Sequence, residues 1–280
     1  MMSHNCNKIA AQLPVNDFFG WKYHPFADTY KLGQQWLSTK DQRLLESIKR
    51  LLHTGKSIGL CGPSGAGKTF LIHSLIRELD KNSYRTVLVP YGGHLRNGLT
   101  RLLAESFGVE TAGRGVPIIT RIQQHLETMS SGSSPRHPVI IIDDAQLVET
   151  DSLWDLCSLL FQTTGPVAAS LILAGDETLA KRLELYGLLP VRARLTTVMK
   201  LQPMNEYETR EFIENRLKNG GAPPDLFEDH VIDLIAAHAR GNRRTVMNLA
   251  TMALEEAYYR EEKTVTSEAI YNSDWFNESE

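Results

Sequence analysis

The chain is poor in three features that would each point to a compartment or a partner. Cysteine is the first, with only 3 in 280 residues: Cys6, Cys61 and Cys157. They are far apart, odd in number and form no CxxC pair, which argues against a disulfide framework and against a zinc site. Long apolar runs are the second. None approaches the ~20 residues that a membrane-spanning helix needs. The opening MMSHNCNKIAAQ also lacks the apolar core of a signal peptide. A cytoplasmic protein with no membrane partner is expected. Surplus positive charge is the third: Lys and Arg total 30 against 33 Asp and Glu, a net charge of −3. A free-standing nucleic-acid binder carries a basic surplus. Any DNA contact must therefore come from a local basic stripe or from charges concentrated by assembly.

One stretch is rich in glycine. Residues 58–69 read IGLCGPSGAGKT. A short apolar run leads into Gly62, Pro63, Ser64, Gly65, Ala66, Gly67, Lys68 and Thr69, and a helical apolar pattern follows through Phe70, Leu71, Leu75 and Ile76. This is the strand, loop and helix of a phosphate-binding loop. The glycines let the backbone curl so that several N–H groups meet one anion. The helix that starts near Lys68 adds its positive end. Lys68 can reach the β- and γ-phosphates and Thr69 can offer a hydroxyl to Mg²⁺. The loop is expected to bind ATP with Mg²⁺.

A second apolar strand, at 139–142, ends in Asp143 and Asp144. An acid just past a buried strand is the Walker B arrangement. Asp143 would hold Mg²⁺ and Asp144 would polarise the attacking water. A further buried strand at 168–174 ends at Gly175 and Asp176, where a polar residue would face the γ-phosphate. Short apolar strands alternate with helices, which predicts a parallel sheet covered on both faces. From Asn205 the pattern becomes helical only, with Arg243 and Arg244 at the start of a helix. The expected division is an N-terminal strap at 1–45, an α/β nucleotide-binding core at 46–203 and a helical lid at 204–280. The aromatic segment FFGWKYHPF at 18–26 has two readings: a plug on the main core, or a strap whose Pro25 and Phe26 line the adenine pocket. His94, Arg96 and Arg101 lie in or just beyond the loop after the second strand. They are either merely solvated or contacts to nucleic-acid phosphates.

GPSGAGKT, IIIDDAQLV, the arginines at 192 and 194 and GNRR at 241–244 together resemble the AAA+ ATPases. FGWKYHPF, LILAGDETL, VRARLTTVMKLQPM and GNRRTVMNLA narrow the resemblance to the ExeA-like branch. The likeness spans about residues 18–270. It implies a three-layer P-loop core with a central parallel five-stranded sheet and a small C-terminal helical lid. It also implies roles for matching positions. Asp144 stands where most relatives carry Glu, so hydrolysis is expected to be slow or to depend on assembly. Asp176 falls at the sensor 1 position, where an acid would repel the γ-phosphate unless Mg²⁺ or an arginine intervenes. Arg194 matches the finger that reaches a neighbouring subunit's nucleotide, with Arg192 as second candidate, and Arg244 matches sensor 2. The branch includes transposition helpers of the TniB, IstB, TnsC and Mu B type, which assemble on DNA as rings or filaments and recruit a transposase. Their DNA-contacting loop matches the segment with His94, Arg96 and Arg101, and Arg114 and Arg121 are further candidates. The same branch also holds ExeA-type accessory ATPases of secretion and pilus assembly. A nucleotide-gated scaffold with little turnover is a third expectation.

Overall fold

The computed structural model describes residues 14–27, 36–90, 98–112, 115–132, 134–160 and 168–271. In chain order the elements begin with α1 (Val15–Phe19), α2 (Thr39–His53), β1 (Ser57–Cys61), α3 (Lys68–Glu78), β2 (Tyr84–Pro90) and α4 (Gly98–Phe107). There follow α5 (Ile118–Ser131), β3 (His137–Asp143), α6 (Thr150–Ser158), β4 (Ser170–Gly175), α7 (Glu177–Leu183), α8 (Leu189–Arg192) and β5 (Leu195–Lys200). Four helices close the chain: α9 (Glu206–Gly220), α10 (Asp229–Ala239), α11 (Arg243–Tyr259) and α12 (Ser267–Tyr271). By contacts the chain divides into a core unit, residues 37–203, and a helical unit that joins residues 204–271 with 14–27 and Trp36.

In the core unit all five strands are parallel, in the order β2-β3-β4-β1-β5. Strand side chains alternate between the two faces of a sheet, and the core clusters follow that rule. Ile140, Ile142, Leu171 and Leu173 pack with Leu103 of α4, Ile122 of α5 and Leu153 of α6. Val139, Ile141, Ile172 and Ala174 pack on the other face with Ile48 of α2 and with Leu71, Ile72 and Leu75 of α3. Both faces are covered, so these strands read as continuous apolar runs and not as alternation. α2 begins with a capping box: Asp41 N–H donates to Ser38 Oγ at 3.2 Å and Ser38 N–H donates to Asp41 Oδ2 at 3.3 Å. The expected boundary at residue 45 falls inside this helix. Leu45, Ile48 and Leu52 bury α2 in the core unit, so the division comes after Trp36. α5 runs into the serine-rich stretch from 128, as far as Ser131. There the hydroxyls of Thr128, Ser130 and Ser131 each donate to the carbonyl four residues back.

The helical unit has its own apolar cluster, built from Phe212, Ile213, Val231, Ile235, Val246 and Leu254 among others. Phe19, Trp21 and Phe26 belong to that cluster. The aromatic segment is therefore a plug, but one seated among the C-terminal helices. Phe19 stacks on Trp21 at 4.8 Å between ring centroids, and Phe26 meets Phe227 edge-on at 5.9 Å. Trp21 Nε1 donates to Asn16 Oδ1 at 2.6 Å, which satisfies the indole inside the cluster. Lys22 N–H donates to the Gly220 carbonyl at 2.9 Å. A Cβ at Gly220 would come within 2.9 Å of Pro25 and of the Tyr23 carbonyl, so only glycine lets this segment lie against α9.

Candidate active site

The phosphate loop sits at the C-terminal end of β1, between β4 and β5. Ligands of open α/β sheets bind beyond the carboxyl ends of the strands at such a crossover point. Gly65 and Gly67 take positive φ values of 78° and 100°. Gly67 is the residue before α3, so the loop turns into the helix with its N–H groups converging. Gly62 has a different reason to be glycine. A Cβ there would lie 2.6 Å from the Leu201 carbonyl oxygen. The loop is thus pressed against the segment that leaves β5.

Lys68 is buried, and its Nζ donates to the carbonyls of Gly62 at 2.8 Å and Pro63 at 3.0 Å. Burial lowers its pKa, while Asp143, Asp144 and Asp176 act in the opposite direction. Thr69 Oγ1 donates to Asp143 Oδ2 at 2.6 Å. A hydroxyl and a carboxylate, both hard oxygen donors, meet here beside the loop. Among the described residues no group of three or more His, Cys, Asp or Glu is placed to hold a metal. The pair suits Mg²⁺, which takes one or two protein ligands and shares the substrate's phosphates. Thr69 and Asp143 would hold it.

Asp144 is exposed and lies at φ 55°, ψ 38°, a left-handed conformation that costs most residues energy but that Asp tolerates. Its N–H donates to Asp143 Oδ1 at 3.1 Å. The turn sends the two adjacent carboxylates to different tasks. Gln146 Nε2 then donates to Asp144 Oδ1 at 3.0 Å. Gln146 Oε1 accepts from the backbone N–H of Asp176 at 3.2 Å. Arg182 of α7 donates to the carbonyl of Gln146 and, at 2.9 Å, to that of Val148. Sequence reasoning passed over both Gln146 and Arg182. The signal for Gln146 was a polar residue between Ala145 and Leu147, just after the acids.

Asp176 caps α7: its Oδ1 accepts from the N–H groups of Thr178 at 2.8 Å and Leu179 at 3.4 Å. A helix N-terminus stabilises an acid, so the cap accounts for this residue without a phosphate. Arg192 Nη1 donates to the Leu195 carbonyl at 3.1 Å, while Arg194 is exposed between α8 and β5. Arg244 is exposed in the first turn of α11, in the helical unit. Arg101 is exposed on α4. Arg121 was expected to touch DNA, but its Nε donates to the Val116 carbonyl and its Nη1 to those of Glu110 and Ala112. Those three bonds tie Arg121 to described backbone on both sides of residues 113 and 114. His94, Arg96 and Arg114 lie outside the described residues.

No helix among the described residues is long and apolar enough to cross a membrane. Residues 49–183 match the family described as AAA domain. No curated protein matches the chain in sequence. Among solved structures, the chain is similar to the Aeropyrum pernix ORC2 protein in its ADPNP–ADP complexes. That match has 16% identity over 89% of this chain and 71% of the other, with a TM-score of 0.69. It is similar to Drosophila ORC bound to DNA at 16% identity, over 97% of this chain and 68% of the other, with a TM-score of 0.65. It is similar to the Thermotoga maritima RuvB Holliday junction branch migration motor at 16% identity, over 83% and 65%, with a TM-score of 0.53. At these identities the likeness is one of fold.

Proposed function

We propose that this chain, an AAA+ ATPase by its fold, its phosphate loop and its AAA domain, is a DNA-transposition helper. In this reading it assembles on duplex DNA in its ATP state, in the cytoplasm, and recruits or activates a transposase. The observation that carries the assembled state is the exposure of Arg194, in the same core unit that holds Lys68, Thr69, Asp143 and Asp144. Exposed Leu185, Tyr186 and Leu189 precede that arginine. Exposed apolar side chains close in the chain suit a contact between copies. Arg194 then serves a neighbour's nucleotide.

The chemistry follows from these positions. Thr69 and Asp143 would hold Mg²⁺, which would supply positive charge to the phosphates. Lys68 exchanges the carbonyls of Gly62 and Pro63 for β- and γ-phosphate oxygens. The Asp144 carboxylate accepts a proton from a water whose oxygen bonds to the γ-phosphorus. The bond from that phosphorus to the β–γ bridging oxygen breaks, and ADP leaves. Arg194 of a neighbouring copy neutralises the charge that spreads over the γ-oxygens. The family resemblance gives Arg244 a phosphate-binding role.

Support for DNA comes from the exposed Arg101, from the basic segment that ends in it, and from a fold shared with an ORC assembly bound to DNA. Phosphate contacts add up across copies, which lets a chain of net charge −3 bind a polyanion. The test is the electrophoretic mobility of duplex DNA. Retardation is expected with ATP and Mg²⁺, should weaken as salt rises, and should weaken in Arg96→Ala and Arg101→Ala. Unchanged mobility with ATP present would overturn the reading and leave a nucleotide-gated scaffold.

A further inference from the structure

We propose that Gln146 is the positioning residue for Asp144, and that it ties the water-polarising acid to the junction of β4 and α7. The proposal rests on the reading of Asp144 given above. Asp144 is exposed at a left-handed turn, so packing alone does not fix its side chain. Gln146 supplies a fixed point by donating from Nε2 to Asp144 Oδ1 at 3.0 Å. Its other amide atom, Oε1, accepts from the Asp176 N–H at 3.2 Å. Only one orientation of the amide satisfies both partners. Reversed, it would set an oxygen against a carboxylate and an NH₂ against an N–H.

The surroundings of Gln146 are shaped to hold that orientation. A Cβ at Gly175 would lie 2.5 Å from Gln146 Oε1, so glycine at the end of β4 makes room for the amide. Arg182 holds the Gln146 carbonyl from the next turns of α7 and holds the Val148 carbonyl as well. Side chain and backbone of Gln146 are therefore both anchored to the same junction. With Oδ1 committed to Gln146, the proton-accepting role falls to Asp144 Oδ2. Asp is one methylene shorter than Glu, so its carboxylate reaches less far and an error in its aim costs more. A displacement of about 1 Å at a catalytic group can cost on the order of 10²-fold in rate. The link also has a direction. α7 continues through Leu185 and Tyr186 into α8 and Arg194, so a shift of that segment reaches Asp144 through one amide.

The experiment compares steady-state ATP hydrolysis, equilibrium ATP binding and the thermal midpoint for the full chain and three variants. Gln146→Met removes both amide bonds and keeps the volume. It is expected to lower kcat by about 10- to 100-fold, with KM and the Kd for ATP unchanged and the midpoint lowered slightly by the loss of the Asp176 N–H acceptor. Gln146→Glu keeps the acceptor for Asp176 and loses the donor to Asp144. It is expected to lose turnover as Gln146→Met does. Full turnover in Gln146→Glu would make the residue a structural tether and overturn the proposal. So would an unchanged kcat in Gln146→Met, or a fall in ATP affinity parallel to the fall in kcat. Asp144→Asn is the control for the reading beneath: undiminished hydrolysis there would mean that Asp144 is not the polarising acid, whatever Gln146 does.

Discussion

Thr69 Oγ1 donates a 2.6 Å hydrogen bond to Asp143 Oδ2, across 74 positions of sequence. The bond joins the first turn of α3 to the end of β3 and sets side by side the two oxygens proposed to hold Mg²⁺. The expected consequence is that nucleotide and metal bind as one unit. ATP with Mg²⁺ at a hundredfold excess over its Kd should stabilise the chain by about 2.7 kcal/mol. Thermal denaturation with and without EDTA reads this directly. The stabilisation should vanish on chelation and in Asp143→Asn and Thr69→Val. A shift that survives EDTA at full size would show that the pair does not hold the metal.

Gly62 is held to its residue type by the Leu201 carbonyl, 2.6 Å from where a Cβ would stand. Gly62→Ala must push the loop from the segment that leaves β5. Overpacking of this kind costs about 1–3 kcal/mol, and here it also displaces the Gly62 carbonyl that receives Lys68. Denaturant unfolding and ATP binding should both weaken. Gly187→Ala is the control, because nothing lies within 4 Å of its Cβ position. Equal effects of the two changes would count against the close approach as the cause.

Arg194 and Lys68 are expected to act on the same nucleotide from different copies. Arg194→Ala should lower hydrolysis by about 10³-fold or more while ATP still binds. Lys68→Ala should lose ATP. Mixing the two inactive variants should restore turnover, because some interfaces then pair an intact Lys68 with an intact Arg194. If no mixing ratio restores activity, Arg194 does not work in trans.

Burial pushes the His137 imidazole below its ordinary range. Its Nε2 lies 2.8 Å from Ser170 Oγ, a contact that a neutral ring can make as donor or as acceptor. The folded pKa is the lower one. As pH falls below about 6.5, the unfolded chain takes up a proton that the folded chain refuses. Stability is therefore lost on acidification, through the window between about 6.5 and the depressed folded pKa. His24, lowered by its burial in the helical unit, has the same sign. The thermal midpoint should fall between about pH 7.5 and about pH 5.5, and His137→Gln should flatten part of that fall. An unaltered profile in the variant would remove His137 from the account.

Much of this architecture was readable along the chain. Gly62, Gly65, Gly67, Lys68 and Thr69 announce their turn by residue type alone, since only glycine accepts φ values such as 78° and 100° at little cost. The run IIIDD declares a strand buried on both faces and ending in acids. Other residues have contacts that the sequence does not record. Arg121 donates to three backbone carbonyls. Asp176, at a strand end that suits a phosphate sensor, also caps α7.

By itself the sequence determined the nucleotide loop, the metal-side acids and the alternation of strand and helix, because those depend on backbone preference and on periodicity among near neighbours in the chain. Tertiary structure alone decided that Phe19, Trp21 and Phe26 join the C-terminal helices, that Arg121 donates to three backbone carbonyls, and that Gln146 stands between Asp144 and the β4–α7 junction. A hydrogen-bonding side chain binds whatever partner folding brings within about 3 Å. That partner is often dozens of residues away, as Asp176 is from Gln146, and no local pattern records it.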